Sequence, residues 1–441
     1  MFRKSSFISI CLIFAINYGF AQGGFSIVGK NEVSQSIPFK LVNNMIVVKA
    51  KINGKELSFI LDTGIKRTML FNLKLTDTIP FRNVKQLEIR GLGEGQPIQA
   101  HRSMGNLFQM GGIVNPSTSV FIITDDLFDL SAKMGMDVHG IIGGDLFKDF
   151  VVKINYVTKR MLFYEPDAYQ EKKCRGCETF PLDFYNEKPY IDAYVENHLG
   201  KEIKVKLLID SGGGDSLWLF THSDPDILVP DKYFDDFLGR GLSGNIYGKR
   251  SKINKLRLGS FVLEDAAVSF PDSTSMVTVH ANRDRNGTLG AGILKRFNLV
   301  MDYPNRKITL KKNAKFKAPF MYNKSGVELM FGGEMLVKVK RGTLYQTNAQ
   351  TTRSATQIVF NYGLTYKPSF QISQIRQGSP AHLAGLMEND ILLEINGVAA
   401  YSLKMEEVIH MLSQKAGKKI KVLVDRNGQH LKYEFVLKDL L

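Results

Sequence analysis

The chain has 441 residues, of which 44% are hydrophobic and 23% are charged. That length allows two or three domains, and the composition is that of a folded protein. The net charge of +15 comes from scattered lysines and arginines, without the interleaved basic and aromatic residues of an RNA-binding surface. We therefore expect no nucleic-acid partner. A solvated surface is the simpler interpretation of this charge, and weak attraction to anionic envelope components is the alternative.

The N-terminal residues have the pattern of a secretory signal. Basic residues precede an apolar run at positions 7–16, and Ala21 ends a small-residue cleavage pattern. The apolar run is too short to span a bilayer comfortably, and no later segment approaches the length of a span. We predict that residues 1–21 are a signal peptide. The mature chain should then be periplasmic or extracellular, with no transmembrane segment.

A repeat with an offset of about 148 residues organises the chain before residue 320. Five landmarks in one order at one offset predict two copies of one domain. We place an N-lobe at residues 22–168 and a C-lobe at residues 181–318. The landmarks at 60–64, 90–92, 110–112, 140–143 and 155–160 recur at 208–212, 240–242, 258–260, 287–290 and 302–307.

Each copy has the pattern of short strands separated by turns. In the first copy, an apolar strand at 45–52 ends at Asn53-Gly54, which is a strong hairpin signal, and a returning strand follows at 55–61. The second copy repeats this pattern at 190–195 and 204–209. Helical periodicity is confined to short pieces near 145–150 and 231–238. The pattern predicts an all-β barrel or sandwich for each copy.

Residues 169–180 are predicted to link the two lobes, and they contain Cys174 and Cys177. In an oxidising compartment such a pair can close a short-loop disulfide. A zinc site would need two further ligands, and no second pair of this kind lies nearby. We favour a structural disulfide, and a free pair stays open as the alternative.

Each copy also has an apolar strand that runs into Asp-Thr-Gly or Asp-Ser-Gly, at Asp62 and Asp210. One such turn would mean little, because Asp and Gly are common in turns for backbone reasons. Here the two turns match within the repeat, and each is followed by an apolar-apolar-glycine segment, at 141–143 and 288–290. On these motifs, residues 35–315 resemble the pepsin and retropepsin superfamily of aspartic peptidases, in its bacterial exported form.

The resemblance implies that Asp62 and Asp210 meet across a pseudo-two-fold axis as a catalytic pair. Two carboxylates so close cannot both ionise cheaply, so they share one proton. The ionised member deprotonates a water that attacks the scissile carbonyl, and the protonated member stabilises the oxyanion. This chemistry requires neither a metal nor a cofactor.

Four neighbouring residues would support that pair. The resemblance implies that Thr63 and Ser211 hydrogen-bond across to the opposite lobe, although local bonds to the backbone are the alternative. Gly64 and Gly212 would allow the backbone to approach closely.

The residue after each glycine departs from the pepsin pattern, which has Ser or Thr there. This chain has Ile65 and Gly213. Losing a hydrogen bond to the charged form should raise the apparent pKa values of the pair. Our hypothesis is a working pH nearer neutral than that of a gastric enzyme.

The family covers its cleft with a β-hairpin flap. The N-lobe candidate is the glycine-rich stretch at 91–95, and its repeat mate is 241–244. A phosphate-binding loop is disfavoured, because there is no Gly-Lys-Ser/Thr and no βαβ context. The flap candidates are Gly91, Leu92, Gly93 and Glu94.

After residue 320 the composition changes, and the remaining chain strongly resembles a PDZ domain, which we place at residues 319–441. Such domains add an extended peptide end to a sheet edge beside a helix, and backbone amides hold its carboxylate. The resemblance therefore implies a C-terminal peptide as a possible ligand. The pattern comprises strands at 370–375, 391–395, 420–424 and 433–437, Gly-Ser-Pro-Ala at 378–381, and a helix at 403–412.

The carboxylate loop of this module has two candidates, residues 362–366 and residues 325–329. The first contributes Gly363 and Leu364 as groove candidates. Met405 and Ile409, four apart on the helix, would line the groove, although simple core packing is the alternative.

The sequence thus predicts a mainly β protein with two homologous β-barrel lobes followed by an α/β PDZ domain. Two functions stay open. The first is an aspartic endopeptidase acting on a polypeptide substrate, with a PDZ module for docking a peptide or partner. The second is a non-catalytic peptide-binding protein on a retired protease fold. The presence of both aspartates and both glycines favours the first, and we expect a monomer.

Overall fold

The computed structural model describes residues 23–29, 32–73, 78–124, 130–276, 284–347 and 355–441. The predicted signal peptide lies outside these residues. Strands dominate throughout, and the prediction of a mainly β fold followed by a PDZ domain is confirmed. Within the described ranges, none of the helices has the length and apolar character needed to cross a membrane.

The N-lobe consists mainly of strands, which are β1 (Ser26–Ile27), β2 (Ser34–Pro38), β3 (Lys40–Val42), β4 (Met45–Ile52), β5 (Lys55–Leu61), β6 (Thr68–Leu70), β7 (Lys85–Ile89), β8 (Ile98–Met110), β9 (Ile113–Ile123), β10 (Gly140–Ile142), β11 (Val151–Asn155) and β12 (Arg160–Tyr164). A helix, α1 (Leu130–Met134), and short 3-10 helices at Gly144–Phe147 and Pro166–Ala168 complete it. Its large sheet has the strand order β1-β9-β6-β10-β5-β4-β8-β7, and β3 pairs with β4 at its side.

The C-lobe repeats this plan. Its strands are β13 (Cys177–Pro181), β14 (Asp183–Tyr185), β15 (Lys188–Glu196), β16 (Glu202–Asp210), β17 (Leu217–Leu219), β18 (Phe234–Gly241), β19 (Gly244–Leu258), β20 (Phe261–Pro271), β21 (Gly287–Gly290), β22 (Phe297–Asp302) and β23 (Lys307–Lys312). Helix α2 (Ala291–Leu294) and a 3-10 helix at Ser273–Met276 belong to it. Its large sheet has the strand order β14-β15-β16-β21-β17-β20-β19-β18.

The two sheets are copies of one topology. In each, the strand that enters the Asp turn runs parallel to the apolar-apolar-glycine strand: β5 pairs with β10, and β16 pairs with β21. A parallel neighbour and burial on both faces explain why the ends of β5 and β16, at residues 59–61 and 207–209, are continuously apolar. The repeat seen in the sequence is therefore a repeat of strand order.

A further sheet joins the lobes, with the order β13-β23-β22-β11-β12-β2. Its central strands, β11 from the N-lobe and β22 from the C-lobe, pair antiparallel, and Lys153 lies opposite Val300. These two positions are equivalent within the repeat, so the pseudo-two-fold axis passes between them. One continuous hydrophobic core extends through both lobes, which fixes the relative position of the two Asp turns.

The C-terminal domain has its own core and a long two-stranded extension. Strands β24 and β25 pair along most of their length, with an irregularity between Phe331 and Glu334. Beyond that point they leave the PDZ core. The elements are β24 (Val327–Thr347), β25 (Ala355–Ile375), α3 (Pro380–Leu383), β26 (Ile391–Ile395), β27 (Val398–Ala399), a 3-10 helix at Ala400–Ser402, α4 (Met405–Leu412), β28 (Lys419–Arg426) and β29 (Gln429–Val436).

Three sequence expectations change. The helical piece predicted near 231–238 is the start of strand β18, whose bulge after Phe237 disturbs the alternation of buried residues. The predicted linker ends in strand β13, which pairs with β23. The loop predicted at 362–366 lies inside strand β25, because its aromatic and apolar residues alternate with the period of a strand. A disulfide joins Cys174 to Cys177, as favoured.

Candidate active site

The strands deliver Asp62 and Asp210 to the junction of the two lobes. Asp62 follows β5, and its backbone N–H donates to the Ile142 carbonyl at 2.9 Å. Asp210 ends β16, where it pairs with Gly290 of β21. Both aspartates are therefore held by the neighbouring parallel strand of their own lobe.

The glycine of each turn allows the two carboxyl groups to meet. A Cβ on Gly64 would lie 2.9 Å from Asp210 Cγ and 3.0 Å from Asp62 Oδ1. Asp210 Cγ and Asp62 Oδ1 therefore lie no farther apart than the sum of these two distances. A Cβ on Gly212 would clash with the Asp62 carboxyl group. Only glycine leaves room for the opposite aspartate at these two positions.

The residues between Asp and Gly lock the turns together. Thr63 Oγ1 donates to the Ile209 carbonyl at 2.7 Å, and Ser211 Oγ donates to the Leu61 carbonyl at 2.8 Å. In return, each hydroxyl oxygen accepts a hydrogen bond from the opposite turn, from Ser211 N at 3.1 Å and from Thr63 N at 3.2 Å. Both side chains are fully buried. Four hydrogen bonds thus cross between the lobes directly beneath the carboxyl pair.

The two carboxyl groups are not equivalent. Asp62 Oδ1 accepts from the Gly64 N–H at 2.6 Å, whereas Asp210 Oδ1 accepts from both Gly212 and Gly213, at 2.9 and 2.8 Å. Burial raises the pKa of Asp62 well above its usual range, and the charge of Asp210 and a hydrogen bond to it add to the effect. Backbone donors favour the ionised form of a carboxyl group, and Asp210 has two of them where Asp62 has one.

Three further residues, Lys188, Arg285 and Tyr303, affect the electrostatics of this pair, and none of them was predicted as a site residue. Burial lowers the pKa of Lys188, although the charges of Asp62 and Asp210 act to raise it. Arg285 is buried beside Asp210, where it donates to the Gly287 carbonyl at 3.0 Å. Burial raises the pKa of the Tyr303 phenol, and the charge of the nearby Asp62 adds to this effect. Only the folding of distant strands brings these groups to the pair.

Each predicted flap segment lies at the tip of a hairpin, and the two tips touch. Ser243 N donates to the Leu92 carbonyl at 2.9 Å, and Gly91 N donates to Ser243 Oγ at 3.1 Å. Gly93 N donates to the Ser275 carbonyl at 3.1 Å, and Glu94 accepts from Thr274 Oγ1 at 2.6 Å. All four flap candidates of the N-lobe therefore adjoin the C-lobe.

Behind the pair, each lobe extends a tight turn against the other. Asn44, in the turn between β3 and β4, donates to the Gly214 carbonyl at 2.8 Å and accepts from Lys295 at 2.6 Å. The equivalent turn of the C-lobe carries Glu187, which is bonded to Lys148. Lys148 and Lys295 are equivalent within the repeat, so the two contacts are reciprocal.

A chain of ion pairs leads from the Asp210 turn to the PDZ domain. Asp215 accepts from Arg250 at 2.9 Å and from the Trp218 indole at 2.7 Å. Arg250 also binds Asp236 on β18 at 2.7 Å, and Asp236 lies 3.5 Å from Arg376 of the PDZ domain. The Arg376 and Asp236 side chains are only 7% and 10% exposed, so this is a buried contact between domains.

The PDZ groove candidates separate into two groups. Helix α4 lies beside β24, with Met405 buried and Ile409 partly buried. A Cβ on Gly135 of the N-lobe would lie 3.2 Å from Met405 Cβ, so the N-lobe packs against the start of this helix. Gly363 and Leu364 do not belong to the groove, because they lie in the extension outside the PDZ core. That part of the prediction is wrong.

Of the second carboxylate-loop candidate, residues 325–326 precede the first PDZ strand, and residues 327–329 are the start of that strand. Asn323 Oδ1 accepts from the backbone N–H groups of Ser325 and Gly326 at 3.1 and 3.2 Å. Arg376 supports the same loop, through a bond from its backbone N–H to the Gly326 carbonyl at 2.8 Å. The residue that contacts Asp236 thus also holds this loop.

Two lobes with crossing Asp-Thr-Gly and Asp-Ser-Gly turns define a framework of the aspartic protease type. Comparison with known families agrees. A family model described as aspartyl protease matches residues 48–146, and one described as PDZ domain matches residues 371–426. The chain therefore contains an aspartyl protease domain and a C-terminal PDZ domain. No curated protein matches the chain. The aspartyl protease match includes Asp62 but ends before Asp210.

Proposed function

We propose that the protein is an aspartic endopeptidase that hydrolyses peptide bonds with a water activated by Asp62 and Asp210. The observation that carries the proposal is the meeting of the two carboxyl groups over the crossed Thr63 and Ser211 hydrogen bonds. Because one chain supplies both aspartates, a monomer suffices. The predicted signal peptide and the Cys174–Cys177 disulfide support export to an oxidising compartment.

The asymmetry of hydrogen bonds assigns the roles. Asp210, with two amide donors, starts as the carboxylate and takes a proton from the water as its oxygen attacks the scissile carbonyl carbon. Asp62 starts protonated and hydrogen-bonds the carbonyl oxygen as negative charge develops on it. Collapse of the tetrahedral intermediate breaks the C–N bond, and a proton from the pair passes to the leaving amine.

Lys188 and Arg285 tune this pair. Their positive charges favour the ionised form of the neighbouring carboxyl, while burial and the like charge favour the protonated form of Asp62. The pair therefore keeps one proton over a range that extends above the ordinary pKa of aspartate. We expect activity nearer neutral pH than that of a gastric enzyme, and a rate profile peaking near pH 2–3 would contradict this.

Substrate entry requires the two flap tips to part. The contacts that close them are backbone hydrogen bonds, the Gly91–Ser243 and Glu94–Thr274 bonds, and two apolar contacts: Leu92 packs against the buried cluster of Phe220 and Met276, and Leu242 packs against a core cluster of the N-lobe. A polypeptide can replace backbone hydrogen bonds of this kind with its own peptide groups. Both lobes then contribute a hairpin to holding an extended substrate.

In this proposal the PDZ domain docks a peptide or partner at the loop around Ser325 and Gly326, whose amides exchange their bonds to Asn323 for the carboxylate of the ligand. Because Gly135 packs against Met405, a peptide that fills the groove beside α4 has to displace this part of the N-lobe. Docking of a peptide in this groove therefore requires a movement of the protease domain.

Cleavage of a denatured protein tests the proposal. Asp62→Asn and Asp210→Asn should each lower the rate by about 100-fold or more, because proton transfer by a positioned group contributes about 10²–10⁴-fold. Asp231→Asn, on the exposed surface, is the matched control and should cleave like the wild type. Absence of cleavage by the wild type across pH 3–8, on several denatured substrates, would favour a non-catalytic peptide-binding protein.

A further inference from the structure

The extension of the PDZ domain has two unlike faces. We call residues 334–347 and 355–368 the arm. On one face, Val337 is only 8% exposed, and its neighbours Val339 and Thr365 are partly buried. The side chains of the opposite face point to solvent.

That opposite face carries six exposed apolar side chains. Its members share even residue numbers, as expected for one face of paired strands in this register. Contiguous exposed apolar patches are rare on soluble proteins and mark interaction surfaces. The apolar face consists of Leu336, Ile358, Phe360, Tyr362, Leu364 and Tyr366, which are 52%, 56%, 56%, 63%, 65% and 65% exposed.

Two lysines lie within this face. Lys338 is paired with Leu364, and Lys340 is paired with Tyr362. The Lys338 ammonium lies 4.8 Å from the Tyr362 ring centre, and the Lys340 ammonium lies 4.0 Å from the Phe360 ring centre. The even positions of the arm carry one acidic residue, Glu334 at its base, against these two lysines. The face is therefore apolar and positively charged at once.

We propose that the apolar face of the arm binds the surface of an anionic lipid bilayer. Tyrosine and phenylalanine favour the boundary between acyl chains and headgroups, and long lysine side chains reach from there to anionic headgroups. The charge of the whole chain, +15, has the sign that such a surface attracts.

The backbone sets the depth of binding. Along the arm, β24 and β25 pair only with each other in the part of the chain that the structure describes. Their outer edges keep peptide groups that need water, so the arm lies flat at the headgroup level. A second copy of the chain fits less well, because packing two such faces together would bring the lysines of both copies close to one another.

Flotation with phospholipid vesicles tests the proposal, using the chain without residues 1–21. The wild type should float with vesicles of phosphatidylglycerol and phosphatidylcholine, but not with phosphatidylcholine alone. Replacing Lys338 and Lys340 by Gln should lower the partition coefficient by about fivefold per lysine. Phe360→Ser, Tyr362→Ser and Leu364→Ser together should abolish flotation, with unchanged circular dichroism.

The matched control is Leu199→Ser with Leu383→Ser, because these leucines are 70% and 69% exposed outside the arm. It should float like the wild type. Equal flotation of the control and the triple arm variant would overturn the proposal, as would failure of the wild type to bind anionic vesicles. A dimer that the triple variant dissociates would assign the face to a second copy instead. No substrate is used, so the result is independent of the proteolytic function.

Discussion

The two lobes share one backbone plan but support their catalytic turns with different side chains. The turn between β3 and β4 offers the neutral Asn44 to Lys295, whereas its C-lobe equivalent offers the charged Glu187 to Lys148. Burial lowers the pKa of Lys295 to about 8. Burial alone would raise the pKa of Glu187, but hydrogen bonds from Lys148 and Lys66 lower it to about 2. Strand order and the crossing hydrogen bonds are thus symmetric between the two lobes, whereas the charges of the supporting side chains are not.

The same contrast appears behind the aspartates. Asp215 of the C-lobe lies within a set of close, mostly buried bonds through Arg250 to Asp236. Its equivalent in the N-lobe is Arg67, a 37% exposed side chain whose nearest acidic partners are 3.9 Å away. The C-lobe turn is thus the firmly supported one, and it is also the turn connected to the PDZ domain.

Removing the arginine behind each turn should give the largest difference between the lobes. Arg250→Met leaves Asp215 without its cation and Asp236 with Arg376 alone, in a largely buried site, and should cost about 3–5 kcal/mol of unfolding free energy. Arg67→Met, the matched variant, should cost about 0–1 kcal/mol because its pairs are long and exposed. Denaturant unfolding measures both. Equal losses would show that the support is symmetric after all.

Removing the crossing hydroxyls should instead affect both lobes alike. Thr63→Val and Ser211→Ala each leave a buried N–H and a buried carbonyl without a partner, so each should cost about 1–3 kcal/mol and lower the cleavage rate. Thr68→Val, at another fully buried threonine outside the crossing, controls for loss of a hydroxyl. If only one of the two crossing variants lost stability, the lock would be one-sided.

The smallest effect concerns the reciprocal turns. Because the folded-state pKa of Lys295 lies below its usual 10.5, the wild type should gain stability as pH rises from about 8 to 10.5. Asn44→Asp gives Lys295 a charged partner, so it should flatten that gain and add on the order of 1 kcal/mol at pH 7. Unfolding at pH 7 and pH 10 measures the change.

Glu187→Gln is the counterpart on the other lobe. Its lowered pKa means that Glu187 contributes stability above about pH 4.5 and loses it as pH falls towards 2. The Gln variant should lack this dependence and leave the alkaline behaviour of Lys295 unchanged. If the Gln variant lost stability at acid pH as the wild type does, Glu187 would not contribute to the contact between the lobes.

Much of the fold could be predicted because its signals are local. Strands β4 and β5 begin and end where hairpin chemistry and apolar runs place them, and the predicted helix at 403–412 is α4 with two residues fewer at its start. The repeat revealed the second lobe, although the aspartyl protease match ends at residue 146. Periodicity and duplication are properties of neighbouring or equivalent residues, and a single sequence contains both.

What could not be predicted depends on contacts between distant segments. Lys188 and Arg285 reach the aspartates only through the fold, and nothing beside them in the sequence indicates a site. The stretch at 362–366 resembles a PDZ loop because it contains Gly363. The alternation of large side chains, including Leu364, with smaller ones is the stronger signal, and it indicates a strand. Packing of Gly135 against Met405 likewise joins segments 270 residues apart.

The most direct test of the central claim is carboxyl ¹³C NMR of the chain with labelled aspartate, titrated from pH 2 to pH 9. We expect a coupled pair, with one member still protonated well above its usual pKa of 3.8. In Asp210→Asn, the high-pKa signal should remain, belong to Asp62 and titrate without the second step. Independent titration of both carboxyl groups near 3.8 would contradict a shared proton and, with it, the proposed water activation.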